Sequence, residues 1–205
     1  MIEQELTYQD LRIPSSEIYE AMGYKDSIPD QMVIDETNTL LKRITPLLRP
    51  RFAFFFMEGT LDIEKETLSV LQSIHPPTVN LIQDTIPTRS PEQNTFSTQS
   101  KSTVFSVGKT IARQLRGSEA FVFFAATSGT EFEEFQHTLQ QEGDMVKIYI
   151  ADSLGSIIAE KTADCMEVAL AEYIREKNWK HTNRYSPGYC GWHVSEQQKL
   201  FPLFP

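Results

Sequence analysis

Between Pro29 and Pro46 the side chains that recur at three- and four-residue spacing are Val33, Ile34, Thr37, Leu40, Leu41 and Ile44, with polar residues between them. That period lays one apolar stripe along a helix, begun behind Pro29 and broken at Pro46. A shorter amphipathic helix is predicted over 16–22, opened by Ser15-Ser16-Glu17 and stopped at Gly23. The run Arg51-Phe52-Ala53-Phe54-Phe55-Phe56 is short, aromatic and bounded by proline, which predicts a mostly buried strand.

Over about 74–102 the pattern dissolves into four prolines and many Ser and Thr, apart from a strand read at Val79 to Ile82. This stretch reads as a long loop or insertion, of a length that often serves function. Ser106 is expected to cap a helix running to Leu115 and closed by Gly117, and Ala120 to Ala126 reads as a buried strand. Thr130-x-x-Glu133 has the form of a capping box, opening a helix with Phe132, Phe135 and Leu139 on one face. From Asp144 to about Lys177 a long helical pattern follows, with a bend at Gly155 and an apolar side of Ile157, Met166, Ala169, Leu170 and Ile174. A strand over His181 to Ser186, a turn and a short final helix complete the chain. Helices and strands mix without strict alternation, so the fold class is α+β, a largely antiparallel sheet with packed helices, in a single domain over 1–205.

Composition narrows the function. Hydrophobic residues make up 40% and charged residues 23% of the 205, as in ordinary globular proteins. With 28 acidic against 19 basic residues, the net charge of -9 argues against a sequence-independent grip on nucleic acid or on anionic membranes. The longest apolar run is far shorter than a bilayer span, and Glu3 and Glu5 follow Met1 where a secretory signal would be basic. Two cysteines, Cys165 and Cys190, form no disulfide framework. A cytoplasmic location is expected.

Several candidate chemistries weaken on inspection. Val107-Gly108-Lys109-Thr110 suggests a phosphate loop, yet the position that must be glycine is Thr103, so these residues read as a helix start. There is no Gly-x-Gly pair, which removes the defining turn of a Rossmann cofactor site. Cys190, His193 and His181 match no strong metal-ligand spacing, and no base is placed beside Ser186 or Cys190 to activate either as a nucleophile. The densest chemistry is Arg184-Tyr185-Ser186-Pro187-Gly188-Tyr189, followed by Cys190-Gly191-Trp192. Arg184 offers a planar, permanently charged guanidinium suited to a carboxylate. Pro187 and Gly188 bend the chain, and Gly188 lets a ligand approach bare backbone. Tyr189 and Trp192 add flat faces for an aromatic ligand or a macrocycle edge. The same residues also read as a tight turn whose aromatics anchor the C-terminal tail.

This hexapeptide resembles the Arg-x-x-Pro-Gly-Tyr signature of the activation (S-adenosylmethionine-binding) domain of cobalamin-dependent methionine synthase. Further segments look like that family in the same order: Glu17 to Tyr24 with Ile28-Pro29-Asp30, Ala125 to Glu131, Asp152 to Ser156, and Ser195 to Phe201. The resemblance covers most of the chain from about residue 16. Cys190-Gly191-Trp192-His193 stands where full-length synthases have Pro-Ala-Cys-Pro, and looks like the stand-alone members.

The resemblance implies that S-adenosylmethionine lies in a shallow groove, with Arg184 on its carboxylate, Ser186 and Gly188 contributing backbone contacts, and Tyr189 facing the cofactor or the corrinoid. Glu167, with Glu172 as the alternative, corresponds to the glutamate presented to the ligand's ammonium end. It further implies repair of cob(II)alamin, held by the cobalamin-binding domain of a separate methionine synthase, with one electron from a flavodoxin-like donor and a methyl group from S-adenosylmethionine. The protein would contribute placement rather than acid-base chemistry. No counterpart exists to the acidic residue in the N-terminal part of the full-length domain. Two other readings stay open: a corrinoid-protein docking module that does not use S-adenosylmethionine, and a reactivator of a different corrinoid methyltransferase.

Overall fold

The computed structural model describes residues 1–25, 27–71 and 102–204. The segment read as a long loop, up to Lys101, and the strand read at Val79 to Ile82 lie outside the described residues. In chain order the elements are β1 (Ile2–Glu5), α1 (Ser15–Ala21), α2 (Gln31–Ile44), β2 (Arg51–Met57), β3 (Gly59–Asp62), β4 (Thr67–Leu71), β5 (Ser102–Ser106), α3 (Gly108–Gln114), β6 (Phe121–Thr127), α4 (Thr130–Glu142), α5 (Met145–Arg175) and α6 (Gln197–Leu200), with single helical turns between some of them. Among the described residues the strands form two three-stranded sheets, ordered β1-β2-β6 and β3-β4-β5. The ladders β1/β2, β3/β4 and β4/β5 are antiparallel, as expected of the α+β class. No described helix is long and apolar enough to cross a membrane.

The chain divides into two compact units. The first joins Met1–Phe55 to Phe123–His181. Its core gathers Ile18 of α1, Leu40 and Ile44 of α2, Phe132 and Leu139 of α4, and Leu154 and Ile158 of α5. These are the apolar stripes legible in the sequence, and α2 begins where predicted, with the Asp30 carboxylate accepting the Val33 N–H at 3.0 Å. On β2 the buried residues alternate, Phe52 and Phe54 turning inward. β1 was not foreseen: Ile-Glu-Gln-Glu has no strand pattern, and only its ladder with β2, Ile2 opposite Phe54 through Glu5 opposite Arg51, makes it one.

α5 runs as one continuous helix of 31 residues, as the pattern from Asp144 predicted, and passes through Gly155. A Cβ there would lie 2.6 Å from Phe132 Cε1, so the Phe132 ring of α4 would have to shift to admit a side chain at this position. The Thr130 capping box is also absent. Gly129 is the cap residue, at φ +106, and no side chain caps the helix, while Glu131 and Glu133 sit in its first turn, where their charge favours the helix N-terminus.

Asp144 caps α5 and carries a pH dependence. Its carboxylate accepts the Lys147 N–H at 3.2 Å and the Val146 N–H at 3.1 Å, and pairs with Lys147 Nζ at 3.2 Å. The backbone bond from Lys147, then that residue's ammonium, hold the carboxyl below its usual range. A folded pKa below the unfolded one gives stabilisation that is complete above the unfolded value of about 3.9 and is lost as pH falls through the folded value. Melting temperature is therefore expected to drop below about pH 4. An Asp144→Asn protein, which keeps a capping oxygen, should show a shallower drop by circular dichroism; parallel curves would remove the carboxylate from the account.

The second unit joins Phe56–Val122 to Thr182–Pro205. Its sheet was missed in the sequence because the strands are short and rich in Thr and Ser. The period-two signal was present, since Leu68 and Val70 of β4 and Phe105 of β5 point inward. So was the turn chemistry, with Asp62 accepting the Lys65 N–H at 2.9 Å. Ser106 belongs to this sheet, opposite Thr67, and does not cap α3; Val107 occupies the cap position and the helix starts at Gly108.

Candidate functional site

Residues 179–186 form no strand, against the reading over His181 to Ser186. His181, Thr182 and Asn183 are exposed, and a segment with no buried face gains little from strand geometry. Arg184 and Tyr185 are half-buried, Ser186 is exposed and Pro187 is buried.

From Pro187 onward the chain makes a closed turn. The Tyr189 N–H donates to the Ser186 carbonyl at 3.2 Å, the Trp192 N–H to the Tyr189 carbonyl at 2.9 Å, and the Gly188 N–H to the Trp192 carbonyl at 2.7 Å. Gly188 and Gly191 take φ of +103 and +85, and Cys190 follows at +53. That backbone is natural only with glycine at most of these positions. Among the described residues, a Cβ built on Gly188 would meet nothing within 4 Å, which leaves the motif's glycine open. Tyr189 stands 71% exposed beside it. The turn brings Ser186, Gly188 and Tyr189 together, and Arg184 precedes it by two residues in the chain.

Trp192 does not present a face to a ligand, as its sequence position had suggested. It is 7% exposed and meets Phe105 edge-on, with ring centroids 6.0 Å apart at 89°. Among the described residues its buried indole N–H has no hydrogen-bond partner, an unmade bond that costs about 1–3 kcal/mol against the packing of the ring. Trp192 is the anchor that the turn reading of these aromatics anticipated. A second fastening went unseen: Gly108, at φ +77, lies so close to the turn that a Cβ would sit 2.8 Å from the Gly191 carbonyl oxygen. Its signal was the glycine of the Val-Gly-Lys-Thr sequence, which by itself reads as a helix start.

A third fastening comes from α6 and the helical turn before it. Glu196, 8% exposed, accepts the Ser106 N–H at 3.1 Å and pairs with Lys199 at 2.8 Å, while the Lys199 ammonium also donates to the Val104 carbonyl at 3.1 Å. The ion pair thus satisfies two backbone groups of β5. His193 caps the turn through Nδ1, which lies 2.8 Å from the Ser195 hydroxyl. Cys190 is exposed.

In the first unit, Glu167 lies on α5, half-buried, with Oε1 3.6 Å from His181 Nδ1. Glu172 is exposed. Of the two acids considered in the sequence, Glu167 is the one held in a defined contact. Among the described residues no three His, Cys, Asp or Glu side chains converge as metal ligands would.

No family model and no curated protein matches the chain. Among solved structures it is similar to one described as the MetH reactivation domain bound to AdoHcy, with a TM-score of 0.58 and 15% identity, over 98% of this chain and 69% of that one. At that identity the likeness is one of fold. The chain has the α+β fold of a methionine synthase reactivation domain.

Proposed function

We propose that the chain binds S-adenosylmethionine at the 184–189 turn and serves, as a stand-alone protein, in the reductive reactivation of cobalamin held by a separate methionine synthase. The observation that carries this reading is the Arg184 to Tyr189 turn, with its open glycine, on the fold of a reactivation domain. The residues fit such a guest. Arg184 pairs with the methionyl carboxylate, the bare backbone at Ser186 and Gly188 lets the ligand lie close, and the exposed Tyr189 ring covers it. S-adenosylmethionine would supply the methyl group, and the protein's part is to hold it in place, which removes the entropy of finding the corrinoid. A flavodoxin-like donor would supply the electron. The sparse set of candidate bases and nucleophiles in this chain agrees with a role in placement.

Calorimetry with S-adenosylmethionine tests the ligand. Arg184→Ala is expected to weaken binding by about 1.5–3 kcal/mol, tenfold or more. Equal heats in both proteins, or none in the parent, would overturn the assignment. Recovery of methylcobalamin by a methionine synthase lacking its own C-terminal domain, with and without this chain, tests the role; a chain that docks yet leaves recovery unchanged would fit a docking module instead.

A further inference from the structure

A groove of about 220 Å3 runs between the C-terminal half of α4 and the start of α5, within the first unit. Gln136, Leu139 and Gln140 line it from α4, and Met145, Tyr149 and Asp152 from α5. Its apolar rim is unusually wet: Met145 is 73% exposed, Tyr149 53%, and the adjoining Val146 47%. The Tyr149 ring is nevertheless held still, its hydroxyl donating to the Met22 carbonyl at 2.8 Å. The polar groups are idle. Among the described residues, the side-chain amides of Gln136 and Gln140 make no hydrogen bond and the Asp152 carboxylate has no ion pair.

Charge completes the description. The first unit carries 20 acidic and 11 basic residues and so holds the whole net charge of -9, whereas the second has eight of each. α4 alone contributes Glu131, Glu133, Glu134 and Glu142. No basic side chain lines the groove, and the nearby Lys147 is engaged by Asp144 at 3.2 Å.

We infer that this groove docks a partner protein through a segment presenting an arginine beside an apolar side chain. The carboxylate of Asp152 takes the guanidinium, the amide oxygens of Gln136 and Gln140 accept its remaining N–H groups, and the Tyr149 ring covers its plane. Arginine suits this set better than lysine, whose ammonium is compact and strongly hydrated. Met145 and Val146 leave water against the apolar neighbour, methionine adapting to the partner's shape. The acidic surround draws such a segment in. This inference is independent of the S-adenosylmethionine reading.

The test uses the full chain labelled with methyl-13C methionine and two probes, Nα-acetyl-leucyl-arginine amide and its neutral citrulline counterpart. The arginine probe should move the Met145 methyl resonance saturably, the citrulline probe at least about tenfold more weakly, and Asp152→Asn should erase the difference. Asp152 is exposed, so that variant keeps its fold, and Arg184→Ala should respond as the parent does. Equal response to both probes, an unchanged Asp152→Asn titration, or shifts at Met32 in place of Met145 would overturn the inference. So would self-association of the chain that Asp152→Asn abolishes, since the occupant would then be a second copy.

Discussion

Replacing Gly108 by alanine is expected to destabilise the second unit by about 3 kcal/mol and to displace the 188–192 turn. Two effects add. The residue sits at φ +77, where an alanine costs about 1–2 kcal/mol. The new Cβ would also meet the Gly191 carbonyl oxygen at 2.8 Å and its carbonyl carbon at 3.0 Å. Those are backbone atoms, so no rotamer change relieves the contact and the turn itself must move. Gly117→Ala separates the two effects, because Gly117 has φ +80 with nothing within 4 Å of its Cβ. It should cost only about 1–2 kcal/mol in a urea titration. If the two variants are equally stable, the close approach of Gly108 to Gly191 is not a restraint. Under the proposed function, Gly108→Ala should also weaken S-adenosylmethionine binding while Gly117→Ala leaves it intact, which ties the conformation of the motif to a residue some 80 positions away in the chain.

At Gly155 the expected sign opposes the usual rule. An alanine in the middle of a helix is favoured over glycine by about 1 kcal/mol. Here the added methyl would lie 2.6 Å from Cε1 and 3.2 Å from Cζ of Phe132, a ring 1% exposed in the core of the first unit. A packed ring cannot retreat without opening space elsewhere, and overpacking of this kind costs typically about 1–3 kcal/mol. Gly155→Ala should thus be destabilising, and Gly155→Val by about 3 kcal/mol, with the helix itself intact by circular dichroism. Phe132→Leu combined with Gly155→Ala should recover part of the loss, a coupling that non-contacting residues would not show. A stabilised Gly155→Ala protein would mean that α4 does not press on α5 there.

The long elements were legible because each repeats one signal many times. Eleven of the residues of α5 are buried, and their spacing advertises one inward face over eight turns. Asp30 and Asp144 mark helix starts by their own short side chains, so their capping needs no knowledge of the rest of the molecule. The β3-β4-β5 sheet carried weaker evidence. Each strand spans four or five residues, and half of those face solvent, which leaves one or two apolar positions to announce it. β1 announced nothing, since it becomes a strand by pairing with β2.

The candidate site divides in the same way. Arg184, Ser186, Gly188 and Tyr189 are neighbours in the chain, so their chemistry could be read as a unit, and Gly188 needs its freedom at φ +103 whatever surrounds it. Trp192 stayed open between two readings because a side chain with both an apolar face and a polar tip serves a ligand or a core equally well; only Phe105, packed edge-on at 6.0 Å, decides for the core. Glu196 looked like one more surface acid of a short helix. Its burial depends on the Ser106 N–H, which comes to it from β5, while Lys199 pairs with it from three residues along the same stretch.

Period, caps and turn residues therefore set this protein's helices, its main aromatic strand and the turn at Gly188, since those signals act between residues a few positions apart. Tertiary structure alone decided which glycines stand against a neighbour, which aromatic ring is core, and which of two acids on α5 is engaged, because those outcomes depend on what another part of the chain brings to the same place.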